Sequence, residues 1–365
     1  MKNVKSTMRT EHVLIVMAIL LAAGRAAVAL PIPQAVQAIG DRLASEQITT
    51  GALEGTWANQ ADYTGSIVAG LVNAYQMTGK EAYKSAAELG GAHILMQRRD
   101  NPYGDEAFAL ALLTEITAEN LYANTVKDFY AGIATSRYIQ GFDNADLSAA
   151  VFYIAHHAVA AHTVGATDTQ IWRDSLIRYL NKVDDDTAFF PVMSLGVATW
   201  ALCQTGDMDQ TRVDLSSPGG ADYWQNVRLV DLPGILLSHQ VTNGDNAGSF
   251  YYRFDHNAQS PNLTSGFVED TVFGTLGLIA ADQIGWDFNS DIFAARTTLA
   301  AAIGADGIVY EHISAGSASY HLYAGETLSA IPEPTSLLLW SVGVMLLLWH
   351  RNRPHSLDGP EEAGP

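Results

Sequence analysis

An apolar stripe that recurs three times constrains the fold more than any other feature of the chain. Its copies are Tyr83, Ala87, Gly90, Gly91 and Ile94; Tyr122, Val126, Phe129, Tyr130 and Ile133; and Trp172, Leu176, Tyr179, Leu180 and Val183. This spacing places the members of each copy on one face of an otherwise polar helix. Each copy therefore predicts an outer-layer helix that packs on a core along one side.

The segments before these stripes have a different character. Residues 62–79, 104–118 and 145–165 are apolar almost all round and rich in Ala, Gly and Ser. Helices of that kind are buried on most of their faces. The repeating unit is therefore an inner helix, a short turn and an outer helix, and units of about 40–50 residues bury a shared core between neighbours.

Five such hairpins can be counted, at 62–96, 104–139, 145–183, 188–240 and 264–303. Their inner helices are predicted near 62–79, 104–118, 145–164, 188–204 and 264–284. Segments 32–49 and 318–330 supply one helix each, and their pairing as a sixth hairpin would close the array into an all-α (α/α)6 toroid. An open α-solenoid is the alternative architecture. Alternation in 248–256 and in 306–312 predicts minor β-hairpins in the connections.

A closed array of this kind resembles the toroids of six-hairpin glycosidases and of terpenoid cyclases. The resemblance is architectural and covers about 300 residues, 30–331, which we expect to form one ectodomain.

Charge narrows the possible partners. The 365 residues contain 20 Lys and Arg against 39 Asp and Glu, a formal net charge of -19. Nucleic acid is therefore not an expected partner, because phosphate binding needs clustered basic residues. The single cysteine, Cys203, excludes an intramolecular disulfide and is expected to be a small core residue.

The amino terminus, residues 1–29, has the three parts of a secretory signal peptide. Lys2, Lys5 and Arg9 form a basic region, 13–23 is an unbroken apolar stretch, and 27–29 reads Ala-Val-Ala. Small residues at those positions suit cleavage by signal peptidase. The sequence therefore predicts an exported protein.

The carboxyl terminus has its own tripartite pattern. Pro332, Glu333 and Pro334 precede the apolar run 337–349, and Arg351 and Arg353 follow it. The pattern 332–353 resembles the PEP-CTERM sorting signal of Gram-negative bacteria. That resemblance implies a transmembrane helix over 335–350, recognition by an exosortase, and transfer from a transient inner-membrane anchor to the cell envelope or extracellular matrix.

An acidic tail, 354–365, follows the basic cluster, whereas members of that family usually stop just after it. A plain C-terminal membrane anchor that is never cut is the alternative interpretation. In both cases the remainder of the chain lies outside the cytoplasm.

The connections between hairpins indicate where a ligand would bind. The outer-to-inner connections are longer than the turns within hairpins, and they carry aromatic and acidic residues together. In a ring of hairpins these connections emerge on one face, so their side chains are expected to converge on a concave site. The aromatic candidates for stacking on sugar rings are Trp57, Tyr63, Tyr103, Phe142, Tyr252 and Tyr310.

Carboxylates in the same connections are the catalytic candidates. Glycoside cleavage needs a protonated acid and an ionised carboxylate on either side of the bond. The candidates are Asp62, Asp105, Asp146 and Asp270, with His256 and His312 as acid/base candidates. Each aspartate also lies at or beside the start of an inner helix, where it would serve equally well as an N-cap.

Neither a metal site nor a cofactor is expected. His156, His157 and His162 lack the acid spacing of a zinc protease, and a packing role is the simpler interpretation. The acid run 184–186 is typical of a solvated turn, or else of a Ca²⁺ loop.

Two functions remain open on the sequence. The rim would cleave an exopolysaccharide, as a glycoside hydrolase or a polysaccharide lyase, or it would only hold glycan in a structural matrix protein. The surplus of acids favours a neutral or amino-bearing glycan over a polyuronate.

Overall fold

The structure, a computed structural model, describes residues 30–208, 211–215, 219–256, 265–313 and 317–331. These residues contain thirteen α-helices: α1 (Ile32–Glu46), α2 (Thr64–Thr78), α3 (Glu81–Arg98), α4 (Gly104–Thr117), α5 (Asn120–Gly132), α6 (Thr135–Gln140), α7 (Leu147–Thr163), α8 (Thr169–Leu180), α9 (Pro191–Thr205), α10 (Leu232–Ser238), α11 (Val268–Gln283), α12 (Asn289–Ala301) and α13 (His321–Ala330).

Six of these helices form a closed inner ring. In ring order they are α2, α4, α7, α9, α11 and α13, and α13 packs back against α2. The helices α3, α5, α8, α10 and α12 each lie outside the inner helix that precedes them in the chain, while α1 packs outside α13 and α2. The first and last helices thus complete the sixth hairpin, so the predicted toroid is confirmed and the open solenoid is excluded.

The burial of the helices agrees with the predicted division into inner and outer helices. The inner helices α2, α7 and α9 are buried over most of their length, whereas α3, α5 and α8 bury one face. Tyr83 and Trp172 of the apolar stripes are fully buried. Small residues bring the inner helices close together, because a Cβ on Gly70 of α2 would overlap the carbonyl oxygen of Gly325 in α13.

All six inner helices begin on the same side of the ring. Cross-helix hydrogen bonds join their first turns: the Ser66 amide of α2 donates to Asp105 of α4, and the Met193 amide of α9 donates to Asp270 of α11. The Leu322 amide of α13 likewise donates to Gln60, which lies just before α2. We call this side, where the inner helices start, the rim.

The prediction of β-hairpins at 248–256 and 306–312 is wrong, because neither segment forms a hairpin of paired strands. Within the described ranges the pairing consists of isolated β-bridges, and Phe250 pairs with Gln240 instead of with its own segment. The reason is packing, because the buried Phe250 ring lies against Gly274 of α11 and holds its segment on the helix.

The described residues contain no helix long and apolar enough to cross a membrane. The signal peptide 1–29, the sorting residues Pro332, Glu333, Pro334, Arg351 and Arg353, and the helix 335–350 lie outside the described residues. The predictions made for them therefore stay predictions.

Candidate functional site

Acidic side chains gather at the rim, and they come from three inner helices and one connection. They are Asp105 and Glu106 in the first turn of α4, Glu269 and Asp270 in the first turn of α11, Glu326 in α13, and Glu311. We call these six residues the acid cluster. Repulsion between their charges links them in a chain, from Glu106 through Asp105, Glu326 and Glu269 to Asp270 and Glu311.

Asp105 and Asp270 cap the helices next to their own. The Oδ2 atom of Asp105 accepts the Ser66 amide at 3.1 Å and the Ser66 hydroxyl at 3.2 Å. The Oδ1 atom of Asp270 accepts the Met193 amide at 3.1 Å. Amides in the first turn of a helix have no partner within that helix, so these carboxylates satisfy orphan donors and meet the positive ends of the helix dipoles.

Burial nevertheless has the largest effect on the pKa of Asp105 and Asp270, and it raises both. It raises the pKa of Asp105 to about 6, against the lowering effect of the Ser66 donors. Burial and the Glu269 charge raise the pKa of Asp270 well above its usual value. Asp270 is 0% exposed, so solvent does not reach the carboxyl group of this predicted catalytic residue.

Glu326 lies in the middle of α13, between the other acids. Its side chain is buried, and its Oε2 atom has no hydrogen-bond partner among the described residues. Burial, followed by the charges of Glu269 and Asp105, raises its pKa well above the usual value. A carboxyl group with an unsatisfied oxygen is costly inside a protein, so this residue needs a reason other than stability.

Glu269 and Glu311 are the members of the cluster that solvent reaches, and both are half-buried. Burial and the charge of Glu311 raise the pKa of Glu269 to about 7. Near neutral pH Glu269 therefore holds its proton far more readily than an ordinary glutamate does. A carboxylic acid that can donate a proton thus stands beside a second carboxyl group at the opening of the ring.

Arg98 joins the acid cluster to the edge of the rim. Its Nε atom lies 3.3 Å from Glu106 Oε1, and its Nη2 donates to Asp62 Oδ1 at 2.8 Å. The guanidinium carbon also lies 3.9 Å from the centre of the Tyr103 ring. Burial and the Asp105 charge raise the pKa of Glu106 to about 8, although Arg98 and the Tyr103 amide act in the opposite direction.

Aromatic rings surround the acids on the α4 and α7 side. Tyr103 lies 5.4 Å from Tyr153, which in turn stacks on Phe142 at 6.1 Å. Tyr63 is 42% exposed and lies directly before the first residue of α2 at the same rim. The predicted aromatics Tyr63, Tyr103 and Phe142 therefore do come together at the rim.

Trp57 was predicted at the rim and is instead a core residue. It is fully buried, and its indole N–H donates to the Leu43 carbonyl oxygen at 2.8 Å. A large apolar ring in a connection gains more by filling the space under α1 than by facing water, which explains the discrepancy.

Asp62 and Asp146 lie at the surface. Asp62 is exposed and paired with Arg98. Asp146 is the N-cap of α7, and its Oδ1 accepts the amides of Ser148 at 2.9 Å and Ala149 at 3.4 Å. The structure thus gives Asp146 the capping position that the sequence also allowed.

The remaining predicted site residues lie in the long connection after α10 and in the segment after α12. Tyr252 packs between Phe190 and Phe267, and Tyr310 is half-buried beside its bridge partner Ser319. His256 stacks on Tyr251 with a centroid distance of 3.9 Å. These contacts place His256 in a separate aromatic group and not in the acid cluster.

His312 is fixed by its ring nitrogen, because Nε2 lies 2.8 Å from the Ser265 carbonyl oxygen. The acid run 184–186 forms a turn in which Asp184 accepts backbone amides, while Asp185 accepts those of Phe254 and Asp255. Among the described residues no group of three or more His, Cys, Asp or Glu side chains could hold a metal ion.

Sequence reasoning missed Glu106, Glu269, Glu311 and Glu326, the glutamates of the acid cluster. Attention to aspartates as helix caps selected Asp105 and Asp270 and passed over the acid next to each. One signal was present: Glu326 is an ionisable residue inside the segment 318–330, which was predicted to supply one helix of the hairpin that closes the ring.

No protein-family model matches the chain, and no curated protein matches it. The solved structures that are similar in fold include two glycan-active enzymes. One is an inactive variant of the α-1,6-mannanase GH76A of a Salegentibacter species in complex with α-1,6-mannotriose, with a TM-score of 0.54, 11% identity, and coverage of 84% of this chain and 100% of the mannanase. The other is a polysaccharide lyase, with a TM-score of 0.52, 14% identity, and coverage of 85% of this chain and 98% of the lyase. At such identities the likeness concerns the fold, and the chain shares a mostly helical, toroid-type architecture with both enzymes.

Proposed function

We propose that the rim of this toroid binds and cleaves an extracellular polysaccharide, with the acid cluster as its active site. The observation that carries the proposal is the pair Glu269 and Glu311, where a half-buried acid with a pKa of about 7 stands beside a second half-buried carboxyl group. Glycoside cleavage requires that combination of one protonated and one ionised carboxyl group.

The roles follow from the accessibility of each group. Glu269 gives its proton to the glycosidic oxygen as the bond to the anomeric carbon breaks, and Glu311 accepts a proton from the attacking water or attacks the anomeric carbon itself. Tyr63 and Tyr103 offer aromatic faces to the sugar rings. Asp105 and Asp270, which are buried, hold the first turns of the inner helices together beneath the reacting groups.

The mannanase similar in fold supports a part for consecutive acids in the site, whereas the proposed reacting pair, Glu269 and Glu311, is not consecutive. Its inactive variant carries two consecutive Asp-to-Asn replacements. This chain also has consecutive acids, Asp105-Glu106 and Glu269-Asp270, and each pair lies in the first turn of an inner helix.

The test is an activity assay on polysaccharide extracted from the producing cells. Cleavage is measured as the release of reducing ends. Replacement of Glu269 or Glu311 by Gln should lower kcat by at least about a hundredfold, because general acid or base catalysis is worth that much. Asp146→Asn is the matched control, a carboxylate at the rim but outside the acid cluster, and it should keep its activity. Glycan binding with no turnover by the unaltered protein would leave the non-catalytic matrix protein as the function.

The proposal includes export and sorting. A basic region, an apolar stretch and an Ala-Val-Ala segment precede the toroid in that order, and the PEP-CTERM pattern follows it. Mass spectrometry of the mature protein from hosts with and without exosortase tests this part. A C-terminus shortened near Pro332 only in the host with exosortase supports sorting, whereas an intact C-terminus in both leaves the uncut anchor.

A further inference from the structure

The acid cluster carries more negative charge than its surroundings balance. It contains six carboxyl groups, and the guanidinium of Arg98, which lies against it, is divided between Glu106 and Asp62. In the described part of the chain, this guanidinium alone cannot neutralise six acids. The protein limits the repulsion by keeping several of them protonated, as the raised pKa values of Asp105, Glu106 and Glu269 show.

Unsatisfied oxygen atoms show where a ligand would be stabilised. Asp105 Oδ1 and Glu326 Oε2 are buried and have no hydrogen-bond partner in the part of the chain that the structure describes. Both residues are at most 4% exposed, and their charges interact. A group that brings several donors to this place would satisfy atoms that the protein itself leaves without a partner.

Charge distinguishes the candidate groups. A sugar hydroxyl would supply a donor but no charge, and a uronate would add another negative charge. The described carboxyl groups do not have the arrangement that a metal ion needs. A primary ammonium supplies three donors and a positive charge, and a charge-assisted hydrogen bond to a carboxylate is roughly twice as strong as a neutral one.

We propose that the glycan handled at this rim carries free amino groups, and that Glu326 and Asp105 together hold one of them as an ammonium. The inference rests on the proposed function, since it names the substrate class of the same site. Glu269 and Glu311 remain the reacting groups, whereas Glu326 and Asp105 select the amine.

Binding of an ammonium should release protons. The titratable groups that interact with Glu326 are Glu269 from α11, Asp105 from α4 and Tyr323 of its own helix, whereas α2 carries no charged side chain. On the outer side of α13, α1 offers Glu46, which bonds His321. The ammonium favours the ionised form of the carboxyl groups, so affinity should rise with pH until the amine itself loses its proton.

The experiment compares two ligands of equal length, the trisaccharide of glucosamine and the trisaccharide of N-acetylglucosamine. Isothermal titration of the full chain carrying Glu269→Gln measures binding without cleavage. We expect the amino trisaccharide to bind about tenfold more tightly at pH 7.5, with protons released to the buffer, since one charge-assisted contact is worth about that factor. Adding Glu326→Gln should bring the affinity ratio close to one, and adding Asp146→Asn should leave the ratio unchanged.

Equal affinity for the two ligands, or an unchanged ratio after Glu326→Gln, would overturn the inference. Tight binding of calcium chloride alone, with loss of the amino trisaccharide in competition, would also overturn it in favour of a metal site. A preference for the amine without any cleavage by the unaltered chain would refute the proposed catalysis and leave this inference standing. Melting temperatures of all variants show whether each one is folded.

Discussion

The acid cluster at the rim and the neighbouring histidines His156 and His157 of α7 both bury titratable side chains, but in opposite ways. Burial lowers the pKa of His156 to about 4 and that of His157 to about 3. Both rings are therefore neutral at pH 7. The acid cluster instead holds groups that ionise near neutral pH and repel one another.

Packing explains the histidines. His157 stacks on Trp172 with a centroid distance of 4.4 Å, and His156 lies 4.3 Å from Phe152 and 5.1 Å from Trp200. The Nδ1 of His156 is 2.8 Å from the Phe152 carbonyl oxygen, so that nitrogen carries the proton and donates it. A neutral imidazole is thus part of an aromatic core, even though Nε2 of His157, like Oε2 of Glu326, is buried without a hydrogen-bond partner among the described residues. The comparison teaches that packing accounts for the buried histidines, whereas the acid cluster has the ionisation behaviour on which the proposed function rests.

The largest effect on stability should come from removing an aromatic ring that packs on a buried histidine. Trp172→Ala removes a fully buried ring that covers His157 and should cost about 3–5 kcal/mol of unfolding free energy. Glu326→Gln is the paired change in the acid cluster and should cost no stability at pH 8, because it removes a buried acid. Urea unfolding of both variants measures this, and a loss of several kcal/mol in Glu326→Gln would mean that this residue is structural.

A second effect lies on the alkaline side. The folded pKa of Glu269, about 7, is above its usual value of 4.5. Its contribution to stability is therefore complete below pH 4.5 and is lost as pH rises through 7. Glu269→Gln should remove this loss. At pH 8 its free energy of unfolding, measured with urea, should exceed that of the unaltered protein by roughly 1–3 kcal/mol. The two proteins should be alike at pH 4.5, and a constant difference across this range would contradict the assigned titration.

A third, opposite effect lies on the acid side. The folded pKa of His156 is about 4, below its usual value of 6.5. Its contribution is complete above pH 6.5 and is lost as pH falls through 4. Melting temperatures of His156→Phe should therefore fall less steeply than those of the unaltered protein between pH 6.5 and 4. Parallel curves for the two proteins would show that protonation of His156 does not cause the loss of stability between pH 6.5 and 4.

The fold could be predicted because helix periodicity is a local property. The stripe that begins at Tyr83 and the Ala- and Gly-rich segment 145–165 specify which face of each helix is buried, and six such pairs leave few ways to bury a core. Predicted and observed inner helices differ by a few residues at their ends. The β-hairpin at 248–256 failed because tertiary contacts, here Phe250 on α11, override a weak local alternation.

The site was less accessible to sequence reasoning. The distance between two side chains from different helices depends on the closure of the ring, which no single segment encodes. Asp270 was selected for its position at a helix start, yet the reachable acid is its neighbour Glu269, and a rotation of one residue along a helix decides between them. Glu326 could not be placed beside Asp105 until α13 was known to pack against α2.

The smallest effect concerns Asp146, which separates capping from catalysis at the rim. Its Oδ1 accepts two first-turn amides of α7, so Asp146→Ala should cost about 1 kcal/mol, and Asp146→Asn should cost little because asparagine caps equally well. Chemical denaturation of the two variants, with turnover measured on the same samples, checks both statements. Since Asp146 is exposed and outside the acid cluster, kcat should stay within about twofold in both, an effect under roughly 0.5 kcal/mol. If Asp146→Asn kept its stability but lost turnover, the active site would have to extend from the acid cluster to the start of α7.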